Sequence, residues 1–171
     1  MTNSKGAGSG TRSDWATPWE RFEAVNEVMK FEQDVCANAE NRKLDNYISE
    51  VQNAFVTPWE SPFYANFPWG RTYTKQTGLR PIHWIRRTLN QVEGGARGAI
   101  ICPASVNAIW WHTAAKKAQA VLFLEGRVNY EHPDIKSSSC NFESCWIFYR
   151  EPFNRSGIKK LSKLGLLMSR L

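Results

Sequence analysis

Apolar positions in PWERFEAVNEVM, residues 18–29, recur at Phe22, Val25 and Val28 or Met29, the spacing of one helix face. Thr17 precedes Pro18 as a candidate N-cap, Pro18 takes the first helical position, and Glu20 completes a capping box. FEQDVCA, 31–37, predicts a short strand reaching Asp34 and then a loop of small residues, and NRKLDNYISEV, 41–51, predicts a helix. SPFYAN, 61–66, predicts a strand. LRPIHWIRRTLNQVE, 79–93, predicts a helix after Pro81, with Ile82, Ile85, Leu89 and Val92 on one face and a stop at GGARG, 94–98. GAIICPA, 98–104, and AVLFLEG, 120–126, are continuous apolar runs of the kind buried on both faces of a sheet, the second continuing to RVNY. VNAIWWHTAAKKA, 106–118, predicts the helix between them, SSSCN, 137–141, a loop, and ESCWIFYRE, 143–151, a last strand.

Strands alternate with helices from residue 61 to 126, which predicts an α/β layered fold with a largely parallel sheet. Parallel strands place their carboxyl ends on one edge, and ligands bind outside that edge. Asp34, Asn66 and Pro103 all fall at strand carboxyl ends. The tail, GIKKLSKLGLLMSRL, spaces Ile158, Leu161, Leu164, Met168 and Leu171 near helical periodicity among Lys159, Lys160, Lys163 and Arg170. This predicts a basic amphipathic helix, which lies on a membrane, runs along DNA or docks on its own domain.

Length and composition narrow the class. The 171 residues suit one domain with a real core, here 14–152, between a flexible Gly- and Ser-rich lead at 1–13 and the tail helix at 153–171. No run of about 18 apolar residues occurs and the start lacks an apolar signal segment, so a cytoplasmic location is expected and a membrane span is not. Four cysteines without a C-x-x-C pair and three scattered histidines give no expectation of a metal site. A net charge of +6, with eight tryptophans among 22 Lys and Arg, suits a polyanion partner, since phosphates are neutralised by the cations and bases stack on the rings.

Residues 64–70, YANFPWG, carry the candidate chemistry. Asn fits poorly in a strand interior, and Pro lacks the N–H that a sheet ladder needs, so the strand ends here. An exocyclic amine of adenine is a poor nucleophile because its lone pair is shared with the ring. Two acceptors aimed at its hydrogens would draw that pair out of conjugation. Asn66 offers a side-chain carbonyl, Phe67 a main-chain carbonyl ahead of Pro68, and Trp69 a ring on which an extruded base can stack.

The ordered set SDWATPWERFEAVN (13–26), FEQDVCANAENRK (31–43), YANFPWG, HWIRRTL, GAIICPAS, NAIWWH and FLEGRVNY resembles the phage-type DNA N6-adenine methyltransferases, over about residues 13–150. The resemblance implies a Rossmann-like methyltransferase fold of reduced size, a three-layer sandwich with a mostly parallel sheet. It implies S-adenosylmethionine as cofactor, double-stranded DNA with a flipped base as substrate, and, for a phage-encoded chain, the host cytoplasm. It also implies catalytic roles for Asn66, Phe67, Pro68 and Trp69 and cofactor contacts from Trp15, Ala16, Thr17, Pro18, Asp34, Cys36, Ala37 and Asn41. Asp34 is otherwise a cap or turn former, and Trp15 otherwise a packing anchor. Arg71, just after the motif, and Arg127, in a Gly-Arg pair like the family's, are candidates for DNA phosphate, with an internal salt bridge the other reading of Arg127.

The family's Asn-Pro-Pro-Tyr reads Asn-Phe-Pro-Trp here, the spacing from Asp34 to Asn66 leaves room for about one crossover unit, and no glycine-rich loop follows Asp34. An indole stacks at least as well as a phenol, and Phe67 keeps its carbonyl. The bulk of the Phe67 ring is what motivates a second expectation, a methyltransferase-like module without turnover that binds DNA or a protein and blocks restriction.

Overall fold

The computed structural model describes residues 15–132 and 142–170. The flexible lead expected at 1–13, the loop expected at 137–141, Cys140 and Leu171 lie outside the described residues. Among the described residues six strands form one sheet: β1 (Gln33–Asp34), β2 (Phe63–Asn66), β3 (Gly98–Pro103), β4 (Ala120–Leu124), β5 (Ser144–Tyr149) and β6 (Gly165–Ser169). The order across it is β1-β2-β3-β5-β4-β6. The helices are α1 (Trp19–Met29), α2 (Arg71–Thr77), α3 (Pro81–Glu93), α4 (Ile109–Ala115) and α5 (Arg155–Leu161).

The sheet is mixed, which corrects the expectation of a mostly parallel one. β1, β2 and β3 pair in parallel, but β5 runs antiparallel between β3 and β4, and β6 runs antiparallel along the far side of β4. The helix–strand alternation predicts direction only where it holds: β2, β3 and β4, each separated by a helix, all point the same way. No helix among the described residues separates β4 from β5, so the chain returns in the opposite sense and fills the place between β3 and β4.

Two apolar layers cover the two faces. On one, Trp84, Ile85 and Val92 of α3 and Trp111 and Ala114 of α4 pack with Phe63, Ala65, Ile100, Cys102 and Ile147. On the other, Phe22, Val25 and Met29 of α1 and Leu161 of α5 pack with Tyr64, Ile101, Leu122, Trp146 and Phe148. Every residue of β5 is buried, as expected for an interior strand with helices on both sides. Gly98 is required where β3 passes β2, because a Cβ there would overlap the Phe63 carbonyl.

Several local expectations change for identifiable reasons. Helix α1 begins at Trp19 with Pro18 as N-cap and no side-chain cap. Thr17 is instead fully buried and accepts a hydrogen bond from the Tyr64 hydroxyl at 2.7 Å. Residues 41–51 are not helical. Asp34 takes the Asn46 carbonyl and the Ile48 N–H with its own backbone and the Lys43 N–H with its carboxylate, while Asn38 and Asn41 bond each other's N–H groups. Asx side chains and a buried carboxylate thus outcompete a helical ladder.

The segment 70–80 contains α2, and RVNY lies beyond the end of β4. The tail is helical only over Arg155–Leu161; residues 165–169 form β6. Of the three fates open to the tail, docking on its own fold is the one seen: Leu161 is buried, and Lys160 pairs with Glu27 of α1 at 2.9 Å.

Candidate active site

Because β1, β2 and β3 are parallel, Asp34, Asn66 and Pro103 lie on one edge of the sheet. Asn66 ends β2 on the face opposite Ala65, the same face as Tyr64. Its amide nitrogen donates to the Trp15 carbonyl at 2.8 Å. A carbonyl only accepts, so that contact fixes which way the amide points and turns Oδ1 away, with no partner among the described residues. The segment holding Trp15 is itself secured. Ala16 and Glu131 exchange main-chain hydrogen bonds at 2.8 and 2.9 Å, Trp15 rests on the His132 ring at 5.0 Å, and Thr17 meets Tyr64. Trp15–Pro18 is therefore brought to Asn66. Tyr64 and Glu131 complete that arrangement and were missed in the sequence, although Tyr64 sits two residues before Asn66, where strand periodicity puts it on the same face.

Phe67 turns into the core, 2% exposed, with its ring stacked on Trp84 at 4.7 Å and tilted against Trp59 at 6.2 Å. Its bulk therefore fills the layer beneath α3, and its carbonyl accepts no hydrogen bond among the described residues. Trp69 departs from a freely open platform. One face stacks on Trp110 of α4 at 5.0 Å and 23°, the ring meets Phe67 edge to face, and its Nε1 is buried without a partner among the described residues.

Pro68 lines a cavity of about 410 Å³ together with Cys36, Ala37, Asn41, Asn53, Phe55 and Trp84. Among the described residues, Glu50 is the sole carboxylate in that lining, no Lys or Arg contributes to it, and the buried Trp84 Nε1 has no hydrogen-bond partner. Cys36, Ala37 and Asn41 are thus gathered against Pro68, whereas Trp15, Ala16, Thr17, Pro18 and Asp34 do not line this cavity. Asp34 is 2% exposed, and its carboxylate accepts from the N–H groups of Lys43 at 3.0 Å and Cys36 at 3.4 Å. Burial raises its pKa to about 7, against the lowering by those two N–H groups and the Lys43 ammonium. Lys43, its own pKa lowered by burial, lies over the Trp19 ring at 4.3 Å and reaches Glu131 at 3.4 Å. Asp34 therefore shapes the 34–43 loop whose residues 36, 37 and 41 face the cavity.

Arg71, the first residue of α2, and Arg127 are exposed and form no ion pair among the described residues. The same holds for metal sites: among the described residues no group of three or more His, Cys, Asp or Glu side chains could hold an ion. No helix among the described residues is long and apolar enough to cross a membrane.

The profile of the DNA N-6-adenine-methyltransferase (Dam) family matches residues 6–165, nearly the whole chain and all of the site just described. The chain belongs to the Dam family. A DNA N-6-adenine-methyltransferase of Haemophilus phage HP1 (strain HP1c1) is 23% identical to this Dam-family chain over 114 residues. That alignment covers 64% of this chain and 61% of the phage protein, so the chain matches less than two thirds of that relative's length.

Proposed function

We propose that the chain transfers a methyl group from S-adenosylmethionine to the N6 amine of adenine in DNA. The observation that carries this reading is the orientation of Asn66, whose amide nitrogen is tied to the Trp15 carbonyl at the sheet's carboxyl edge, which leaves its oxygen without a partner among the described residues. The residues present fit the cofactor. The cavity beside Pro68 is within the usual size of small-molecule sites, with apolar walls and a few polar groups. Cys36, Ala37 and Asn41 would line the cofactor, the Glu50 carboxylate would accept from hydroxyl donors, and the unpartnered Trp84 Nε1 would donate. When bound, the cofactor supplies a methyl group activated by a sulfonium.

The chain's own part is positioning. Asn66 Oδ1 and the Phe67 carbonyl accept the two amine hydrogens, which orients the nitrogen lone pair out of the ring plane. Pro68 and the core packing of Phe67 hold that carbonyl still, so the reacting atoms meet without searching. Trp69, backed by Trp110, stacks on the extruded base. No strong general base is needed, because the methylated ammonium is acidic enough to lose its proton to water. The alternative of a module without turnover rested on the bulk of Phe67, and that ring lies among Trp84 and Trp59, away from Asn66 Oδ1.

The test is nucleoside analysis of unmethylated DNA incubated with the purified protein and S-adenosylmethionine. N6-methyladenine should accumulate with time. Tight cofactor binding with unmodified DNA would contradict the reading.

A further inference from the structure

Positive charge is unevenly placed along the chain. Residues 61–124 hold eight Lys or Arg and one acid, Glu93, while the rest of the chain holds fourteen Lys or Arg against fifteen acids. The whole excess therefore belongs to the stretch running from β2 through α2, α3 and α4 to β4. Within it, the turn that joins β3 to α4 emerges at the same sheet edge as Asn66, because β2 and β3 are parallel. Val106 on that turn is 54% exposed, and Ile109, the first residue of α4, is 83% exposed. The next residue, Trp110, is the one stacked on Trp69 of the motif. A β-branched apolar side chain is thus exposed to water one residue from the indole that backs the ring proposed to receive an extruded base, within the basic part of the chain.

We infer that Ile109, supported by Val106, is an apolar wedge that enters the duplex stack beside the extruded adenine. The inference rests on the proposed duplex substrate. Taking a base out of a duplex costs a few kcal/mol of stacking and pairing, and proteins that kink or open DNA insert aliphatic or aromatic side chains between base steps. Ile109 suits that role for a physical reason. Its exposed apolar surface gains nothing from water, branching at Cβ keeps it stiff, and the Trp69–Trp110 stack behind it is a rigid support. A phosphate-rich partner supplies the opposite charge to the lysines and arginines of residues 61–124.

The measurement is binding of labelled short duplexes, intact or with one central abasic site, by fluorescence anisotropy. An abasic gap presents no base to displace, so the wild-type protein should prefer it by about tenfold, and Ile109→Ala should reduce that preference to within about twofold. Ile109 is largely exposed, so its truncation leaves the melting temperature unchanged and separates loss of the wedge from misfolding. Equal affinity of the wild type for both duplexes, or a preference that survives in Ile109→Ala, overturns the wedge. Methyl incorporation by the same preparations is read separately: abasic preference without any methylated adenine keeps the wedge and contradicts the enzymatic reading instead.

Discussion

At the residue scale, Asn66 and Phe67 show how neighbouring positions in one motif do different work. Asn66 has its amide fixed by the Trp15 carbonyl, whereas Phe67 puts its ring in the core and, in the proposed reading, its carbonyl in the site. Phe67→Ala should therefore act first on stability, by about 3–5 kcal/mol in denaturant unfolding, because it empties the space between Trp84 and Trp59. Asp34 makes a pH prediction. Its pKa moves from the ordinary 3.8 to about 7, so the folded protein holds the proton more tightly than the unfolded chain. Its contribution to stability is then complete below about pH 4 and is lost as pH rises through about 7, a change of about 4 kcal/mol in full. Thermal melts should show stability falling between these limits, and Asp34→Asn should flatten that slope. The Asn-x-Pro-aromatic order was legible in the sequence because its chemistry lies in residue types. The tie from Trp15 to Asn66 was not, since the two are 51 positions apart and the acceptor is a main-chain carbonyl that any residue carries.

At the element scale, strong periodicity was readable and tertiary pairing was not. Helix α3 and strands β3 and β5 have long, unambiguous patterns and form near their expected places. Residues 41–51 have helical spacing but give their hydrogen bonds to Asp34 and to each other's Asn side chains. The tail has apolar residues that satisfy either period, and the open edge of β4 selects the strand. Gly98 tests the packing of β2 on β3. A methyl group there would come within 2.6 Å of the Phe63 ring and overlap its carbonyl. Gly98→Ala should cost about 1–3 kcal/mol and lower the melting temperature by roughly 3–10 °C, measured by circular dichroism.

At the scale of the whole molecule, one sheet edge collects an oriented amide, a cavity bordered by the same motif and a tryptophan stack, and the chain's positive excess lies in residues 61–124, which carry that motif and that stack. DNA affinity should depend steeply on salt, and Arg71→Ala and Arg127→Ala should each reduce the slope of log K against log salt by about 1 if each neutralises one phosphate. The claim on which the account turns is that Asn66 acts on the amine and not on the cofactor. Asn66→Ala should therefore be assayed for labelled methyl transfer to unmethylated DNA and, by titration calorimetry, for S-adenosylmethionine affinity. The account predicts a loss of turnover of about 100-fold or more with cofactor affinity nearly unchanged. Normal turnover in the variant, or a loss explained by failure to bind the cofactor, would contradict it.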